Sequence, residues 1–345
     1  MEEVNNSNRK ILVLIAVLGL IIGSIVCVFA FNLGKNAISG NEEENQTKPE
    51  EKEDDHESAT PLLYEVTKEG SDTKIYLFGS IHVANTQNLV FPKYLINAYD
   101  NSKYVACEID MVKAETDPEA IALQQQMLIY NDGTKLKDHM DPKVYDKLIK
   151  FLKDKGMYAE QYEMVSPYYF TSLITIRAAT DANVSAMTGI DKYFINRAKN
   201  DKKEILEVES FEFQFKLLLS FPERLYEMMI EAMVDNYEAT VEGTKQLYET
   251  WKRGDPQEIT NLVAKENSIT EEDRKKYSEA EIAMFEDYNN KLIYDRNVTM
   301  TEKVETYFNE GKSTFFIVGE AHIVGQKGIA NLLVQKGYTV KQVTK

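Results

Sequence analysis

Two short stretches hold the residues best suited to chemistry. One is Ile75-Tyr76-Leu77-Phe78-Gly79-Ser80-Ile81-His82-Val83, and the other is Phe315-Phe316-Ile317-Val318-Gly319-Glu320-Ala321-His322-Ile323. Each runs four apolar residues, then Gly-x-x-His, then a β-branched residue. The chain has four histidines, His56, His82, His139 and His322, and two of them fill this motif. A single Gly-x-x-His reads as a histidine satisfied in a surface turn, whereas a matched pair in a histidine-poor chain reads as a site. Glycine permits a sharp exit from a strand and a close backbone approach. In α/β folds, ligands bind beyond the carboxyl ends of the strands. Glu108 stands at the same kind of place, directly after the apolar run Lys103–Cys107. Two imidazoles and a carboxylate form an open metal site with positions left for water and substrate. A metal there lowers the pKa of its water and supplies hydroxide near neutral pH. His82, Glu108 and His322 are therefore the candidate ligands of a divalent transition metal (Mn, Co, Fe or Zn), and Glu320 is a candidate general base.

The elements that must position these residues are legible in outline. Lys74–Phe78 and Lys103–Cys107 have strand character, and Phe91–Asn101 between them fits a helix opened by Pro92, which makes a βαβ unit. Ser313–Val318, Gly325–Lys336 and Tyr338–Val343 repeat the pattern at the other end. From about 117 to 306 the chain reads as mostly helical. Asp117-Pro118, Asp141-Pro142, Ser166-Pro167 and Asp255-Pro256 each place a capping residue before a proline at the first helical position. Glu223–Trp251 reads as one long helical stretch, and Glu204–Val208 as a buried strand within the helical region. The expected fold is α/β: a mixed central sheet built from N- and C-terminal βαβ elements, with a large, mostly helical insertion.

Ahead of that domain lies Ile11–Gly34, 24 residues without a charge. That is enough to span a bilayer, which needs ~20 apolar residues. Arg9 and Lys10 precede it and an acidic stretch follows, so the rule that positive flanks stay inside orients the C-terminal bulk outward. The run is long for a signal peptide, although Val28-Phe29-Ala30 resembles a cleavage site. The expected organisation is a cytoplasmic tail (1–10), a single-pass transmembrane anchor (11–34), an acidic disordered spacer (35–60) and one extracytoplasmic domain (61–345) at the cell membrane. The net charge is −16, and no basic face for nucleic acid is evident. Cys27 and Cys107 are the only cysteines, so the domain does not rest on disulfides.

At these residues the sequence resembles the TraB/GumN family, which includes the animal Tiki proteins, over about Leu62 to Val343. The resemblance rests on Leu77–His82, on Glu108, on Gly189-Ile190-Asp191, on Glu207–Gln214, on Trp251–Asp255, on Arg296-Asn297 and on Gly319–Gly325, in that order. Val208 and Ser210 depart from the family's Leu and Thr. The resemblance implies a metal-dependent peptidase that uses the paired glycine–histidine motifs with a glutamate. It adds Asp191, Glu209 and Arg296 as polar site residues, with Arg296 a holder of a substrate carboxylate or of the developing oxyanion. The expected function is a membrane-anchored metal-dependent hydrolase acting on a peptide or protein substrate. The alternative is a non-catalytic surface module that captures a peptide, with Met164, Tyr168 and Tyr169 lining a groove, or that binds haem through His82 or His322.

Overall fold

The computed structural model describes residues 57–85, 89–185 and 188–344. The expected anchor and nearly all of the acidic spacer lie outside the described residues. Among the described residues, no helix is long and apolar enough to cross a membrane.

Six strands form one mixed sheet: β1 (Leu63–Thr67), β2 (Ile75–Ser80), β3 (Tyr104–Cys107), β4 (Glu204–Glu207), β5 (Thr314–Gly319) and β6 (Thr339–Gln342). Their spatial order is β4-β3-β5-β2-β1-β6. Strands β4, β3, β5 and β2 are parallel neighbours, and β1 is antiparallel to both β2 and β6. The central strands β2 and β5 are apolar on both faces and almost wholly buried, as parallel strands covered by helices on both sides must be. The edge strands, Glu-Ile-Leu-Glu and Thr-Val-Lys-Gln, carry the polar residues, which blunts edge-to-edge pairing.

The two βαβ units expected from the sequence interleave. Strand β5 inserts between β2 and β3, and both β1 and β2 lie between β5 and β6. Neither crossover joins adjacent strands, and this is what brings the two Gly-x-x-His strands side by side. Their register is offset by one residue: Gly79 pairs with Val318, and Ser80 with Gly319.

The helical insertion forms largely as its caps dictate. Asp117, Asp141 and Asp255 each accept a backbone N–H of the first turn behind a proline. Ser166 caps its helix without a side-chain bond. The stretch expected as one helix over 223–251 breaks at Asn236 into Glu223–Asp235 and Tyr237–Arg253. The Asn236 amide bonds the Ala232 carbonyl at 2.9 Å, offering the backbone an alternative to continuing the helix. Trp251, fully buried, ties the second of these helices to the sheet by donating its indole N–H to the Gly79 carbonyl at 2.9 Å. Tyr168 and Tyr169 are core residues, packed against Tyr226 and Tyr162 respectively. Of the three proposed groove residues, only Met164 is exposed.

Candidate metal and catalytic centre

The carboxyl ends of the four parallel strands deliver one group each to a common locus. Glu108 follows β3, Glu209 follows β4, His322 follows β5 and His82 follows β2. Backbone bonds from Val208 N to Cys107 O and from Glu209 N to Glu108 O, both 2.9 Å, keep β3 and β4 in step past their ends. The insertion supplies Asp191 at the start of helix Ile190–Asn200, Gln214 on helix Phe211–Leu219, and Arg296 and Asn297 at the start of helix Arg296–Asn309. A π-helical turn, Asn290–Asp295, leads into Arg296. Such turns re-aim the side chains that follow and recur at functional sites.

Both histidines are locked by their Nδ1 atoms. His82 Nδ1 lies 2.7 Å from Asp191 Oδ2, and Ser80 donates its hydroxyl to the other oxygen of that carboxylate. His322 Nδ1 lies 2.6 Å from Asn297 Oδ1. The Asn297 amide is oriented by its own donation to the Lys327 carbonyl at 2.8 Å, so its oxygen must face the imidazole. In each case an acceptor fixes the proton on Nδ1 and leaves the Nε2 lone pair for another partner, the usual support of a metal-ligating histidine. His82 Nε2 is buried and has no hydrogen-bond partner. Burial opposes the charged form of His82, but the Asp191 carboxylate outweighs it and the pKa moves up. Burial, with the nearby Arg296 and His82 charges, drives His322 down to about 3, against the pull of Glu108. His322 is therefore neutral at all ordinary pH.

Gly189 is what lets helix Ile190–Asn200 reach the site. A β-carbon there would stand 2.7 Å from the His82 carbonyl oxygen. At Gly79 a β-carbon would stand 3.0 Å from the Glu320 β-carbon, which accounts for glycine in the first motif.

Arg296, 3% exposed, is the centre of the charge network rather than part of a surface pair. Its Nη2 donates to Glu108 Oε2 at 2.5 Å and to Glu209 Oε2 at 2.7 Å. Its Nε donates to Glu209 Oε1 at 3.0 Å, and its Nη1 to the Leu292 carbonyl at 3.0 Å and toward His322 Nε2 at 3.4 Å. Every guanidinium nitrogen is engaged within the protein, so the expected role of Arg296 in holding a substrate carboxylate or oxyanion is not available in this arrangement. Glu108 also accepts the Gly319 N–H at 2.8 Å. Burial raises its pKa, but Arg296, the two histidines and that N–H together bring it down to about 2. Glu209, whose place in the site the sequence left open, is the second arm of the Arg296 fork.

Glu320 stands apart. It is Ser80's counterpart in the motif, yet Ser80 turns to Asp191 while Glu320 starts the short helix Glu320–Ile323. Both of its carboxyl oxygens are buried without a hydrogen-bond partner, and burial pushes its pKa well up. A general base must be ionised, and burial without a partner disfavours the charged form of Glu320, so the expected base role does not follow from this geometry.

A recess between the strand ends is lined by His82, Cys107, Glu108, Asp191, Gln214 and Ile317. Burial, reinforced by the carboxylates around it, raises the Cys107 thiol well above its ordinary range, so it offers no thiolate. Among the described residues, no three His, Cys, Asp or Glu side chains are grouped as a ready-made metal site. The Arg296 guanidinium touches both Glu108 and His322, whose Oε1 and Nε2 lie 3.9 Å apart. The donor set nonetheless fits a divalent cation. Glu108 and Glu209 bring two buried carboxylates against one buried guanidinium, Asp191 pairs with His82, and buried charge demands compensation. Gln214, which donates to Glu108 at 3.3 Å and to Glu209 at 2.7 Å, and Asn297 were not singled out as site residues by sequence reasoning. Both fall within stretches that carried the family resemblance.

The fold and site thus define an α/β protein with paired strand-end histidines converging on a buried carboxylate–arginine network. The chain belongs to the TraB/PrgY/gumN family, whose sequence model matches residues 62–342. It is 24% identical to "Metalloprotease TIKI1" of Danio rerio over 78% of this chain and 61% of that protein. It is 23% identical to "Metalloprotease TIKI homolog" of Nematostella vectensis over 78% of this chain and 64% of that one. To "Metalloprotease TIKI1" of Homo sapiens it is 22% identical, over 78% and 60%. The alignments with these relatives take in under two thirds of their length. No solved structure matches this chain.

Proposed function

We propose that this protein is a metal-dependent hydrolase of the metallopeptidase kind, acting on a peptide or protein substrate. One observation carries the reading: His82 and His322 each have Nδ1 fixed by an oxygen acceptor, His322 Nε2 lies 3.9 Å from Glu108 Oε1, and His82 lines a recess with Glu108. His82, Glu108 and His322 would hold a divalent transition metal (Mn, Co, Fe or Zn), which supplies Lewis acidity and a more acidic water. Asp191 and Asn297 orient the imidazoles, and Ser80 steadies Asp191. Gln214 and, in the metal-free site, Arg296 hold Glu108 aimed at the strand ends. The names of the relatives agree with this class of chemistry. Their low identity and greater length leave the substrate to experiment. The apolar run Ile11–Gly34 and the acidic stretch after it support an anchored, extracytoplasmic placement. Protease added to intact cells should then release the domain by cutting within 36–60.

The test is metal content and peptide cleavage by the full chain, alongside His82→Ala and His322→Ala. Both variants should lose bound metal and turnover, and chelation should silence the wild type. Full activity of either variant in chelator would overturn the metal-dependent reading, and a wild type with neither bound metal nor turnover would leave the alternative, a non-catalytic peptide-binding module. The internal engagement of every Arg296 donor favours that alternative. A Soret band in the purified protein would point instead to its haem-binding form.

A further inference from the structure

Two of the three residues assigned above to a metal are already in contact with a cation. Arg296 Nη2 lies 2.5 Å from Glu108 Oε2, and Arg296 Nη1 lies 3.4 Å from His322 Nε2. The third, His82 Nε2, is buried and without a partner. A divalent cation held by Glu108 and His322, whose Oε1 and Nε2 lie 3.9 Å apart, would stand beside a guanidinium in contact with both residues, and two positive charges side by side in a buried site repel. The guanidinium has somewhere to go. Glu209 already takes it side-on, with Nε to Oε1 at 3.0 Å and Nη2 to Oε2 at 2.7 Å. That fork survives if the contacts to Glu108 and His322 are given up. Gln214 bridges Glu108 and Glu209 and can follow either carboxylate.

We propose that Arg296 is an internal cation that competes with the divalent metal for Glu108 and His322. It withdraws onto Glu209 when the metal enters, so that it both holds the metal-free site together and sets how tightly the metal binds. This inference rests on the metal-site reading above. It assigns Arg296 a positioning role rather than a catalytic one. It also explains how Glu108 and Glu209 stay buried together before the site is loaded: the guanidinium supplies charge that the metal later brings in excess.

The experiment titrates the full chain with Co²⁺ alone, reading the ion's visible absorption for affinity, and melts the protein with chelator and with saturating Co²⁺. Arg296→Met removes the competing charge. It should lower the melting point in chelator, restore it in Co²⁺, and tighten Co²⁺ binding, because a like charge beside the ion is removed. Should that variant fail to fold, Arg296→Met combined with Glu209→Gln removes the orphaned carboxylate together with its partner, and the same tightening is expected. Arg296→Lys keeps a charge but loses the fork that spans both carboxylates, and should fall between wild type and Arg296→Met. Unchanged or weaker Co²⁺ binding in the Arg296→Met variants overturns the proposal. If wild type binds Co²⁺ and His82→Ala does not, that failure is confined to Arg296 and the metal-site reading stands. If wild type and His82→Ala are alike in failing to bind Co²⁺, both fall together.

Discussion

His82 Nδ1 meets Asp191 Oδ2 at 2.7 Å across 109 residues of chain. The carboxylate fixes the imidazole's tautomer and aims Nε2 at the strand ends. Asp191→Asn keeps the shape and removes the charge. We expect metal affinity to fall about 10- to 100-fold with the helical content unchanged. Metal titration followed by circular dichroism checks both, and undiminished affinity would show that Asp191 is only a structural acceptor.

Gly189 controls the same contact through the backbone. Its φ of −55° suits any residue, so the demand for glycine is one of space: an added β-carbon would press on the His82 carbonyl at 2.7 Å. Gly189→Ala should cost about 1–3 kcal/mol in denaturant unfolding and should weaken metal binding as His82 is displaced. A variant as stable as wild type, with metal binding intact, would mean that helix Ile190–Asn200 can retreat without disturbing the site.

The buried Arg296–Glu108 pair makes metal-free stability depend on acid pH. Glu108 is held at about 2 in the folded protein against an ordinary 4.5. A carboxyl with a depressed folded pKa contributes stability that is fully present above the unfolded value and is lost as pH falls through the folded one. The stability gap between wild type and Glu108→Gln should therefore be full above 4.5 and shrink toward 2. Urea unfolding in chelator across that window measures it, and a gap independent of pH would contradict the ion pair.

Glu320→Gln separates two accounts of the second motif. Glu320 is buried, unpartnered and shifted toward its neutral form, and an amide is nearly its isostere. We expect turnover within a few-fold of wild type and stability equal or higher. A loss of ~100- to 10,000-fold in turnover with metal retained would instead identify Glu320 as a general base, brought into play by a rearrangement of helix Glu320–Ile323.

Much of this protein is written locally. The paired Gly-x-x-His motifs, the strand runs that carry them and the proline-preceded caps are short-range patterns. The sheet order, the one-residue offset between β2 and β5 and the break at Asn236 are not. They follow from how apolar faces pack and how a side chain competes for a helical carbonyl. The sequence could nominate His82, Glu108, Asp191, Glu209, Arg296 and His322, because each sits in a recognisable stretch. It could not say what touches what. Gln214 and Asn297 are ordinary helix residues until the insertion folds back over the strand ends. Ser80 and Glu320 look equivalent in the motif, and only the offset register sends one to Asp191 and the other to a buried, uncompensated place. Arg296 reads as a holder of a substrate carboxylate or oxyanion when seen alone. Its position against Glu108, Glu209 and His322 comes from elements separated by scores of residues, because burying two carboxylates together demands a positive charge beside them, and the chain's own fold brings that charge there.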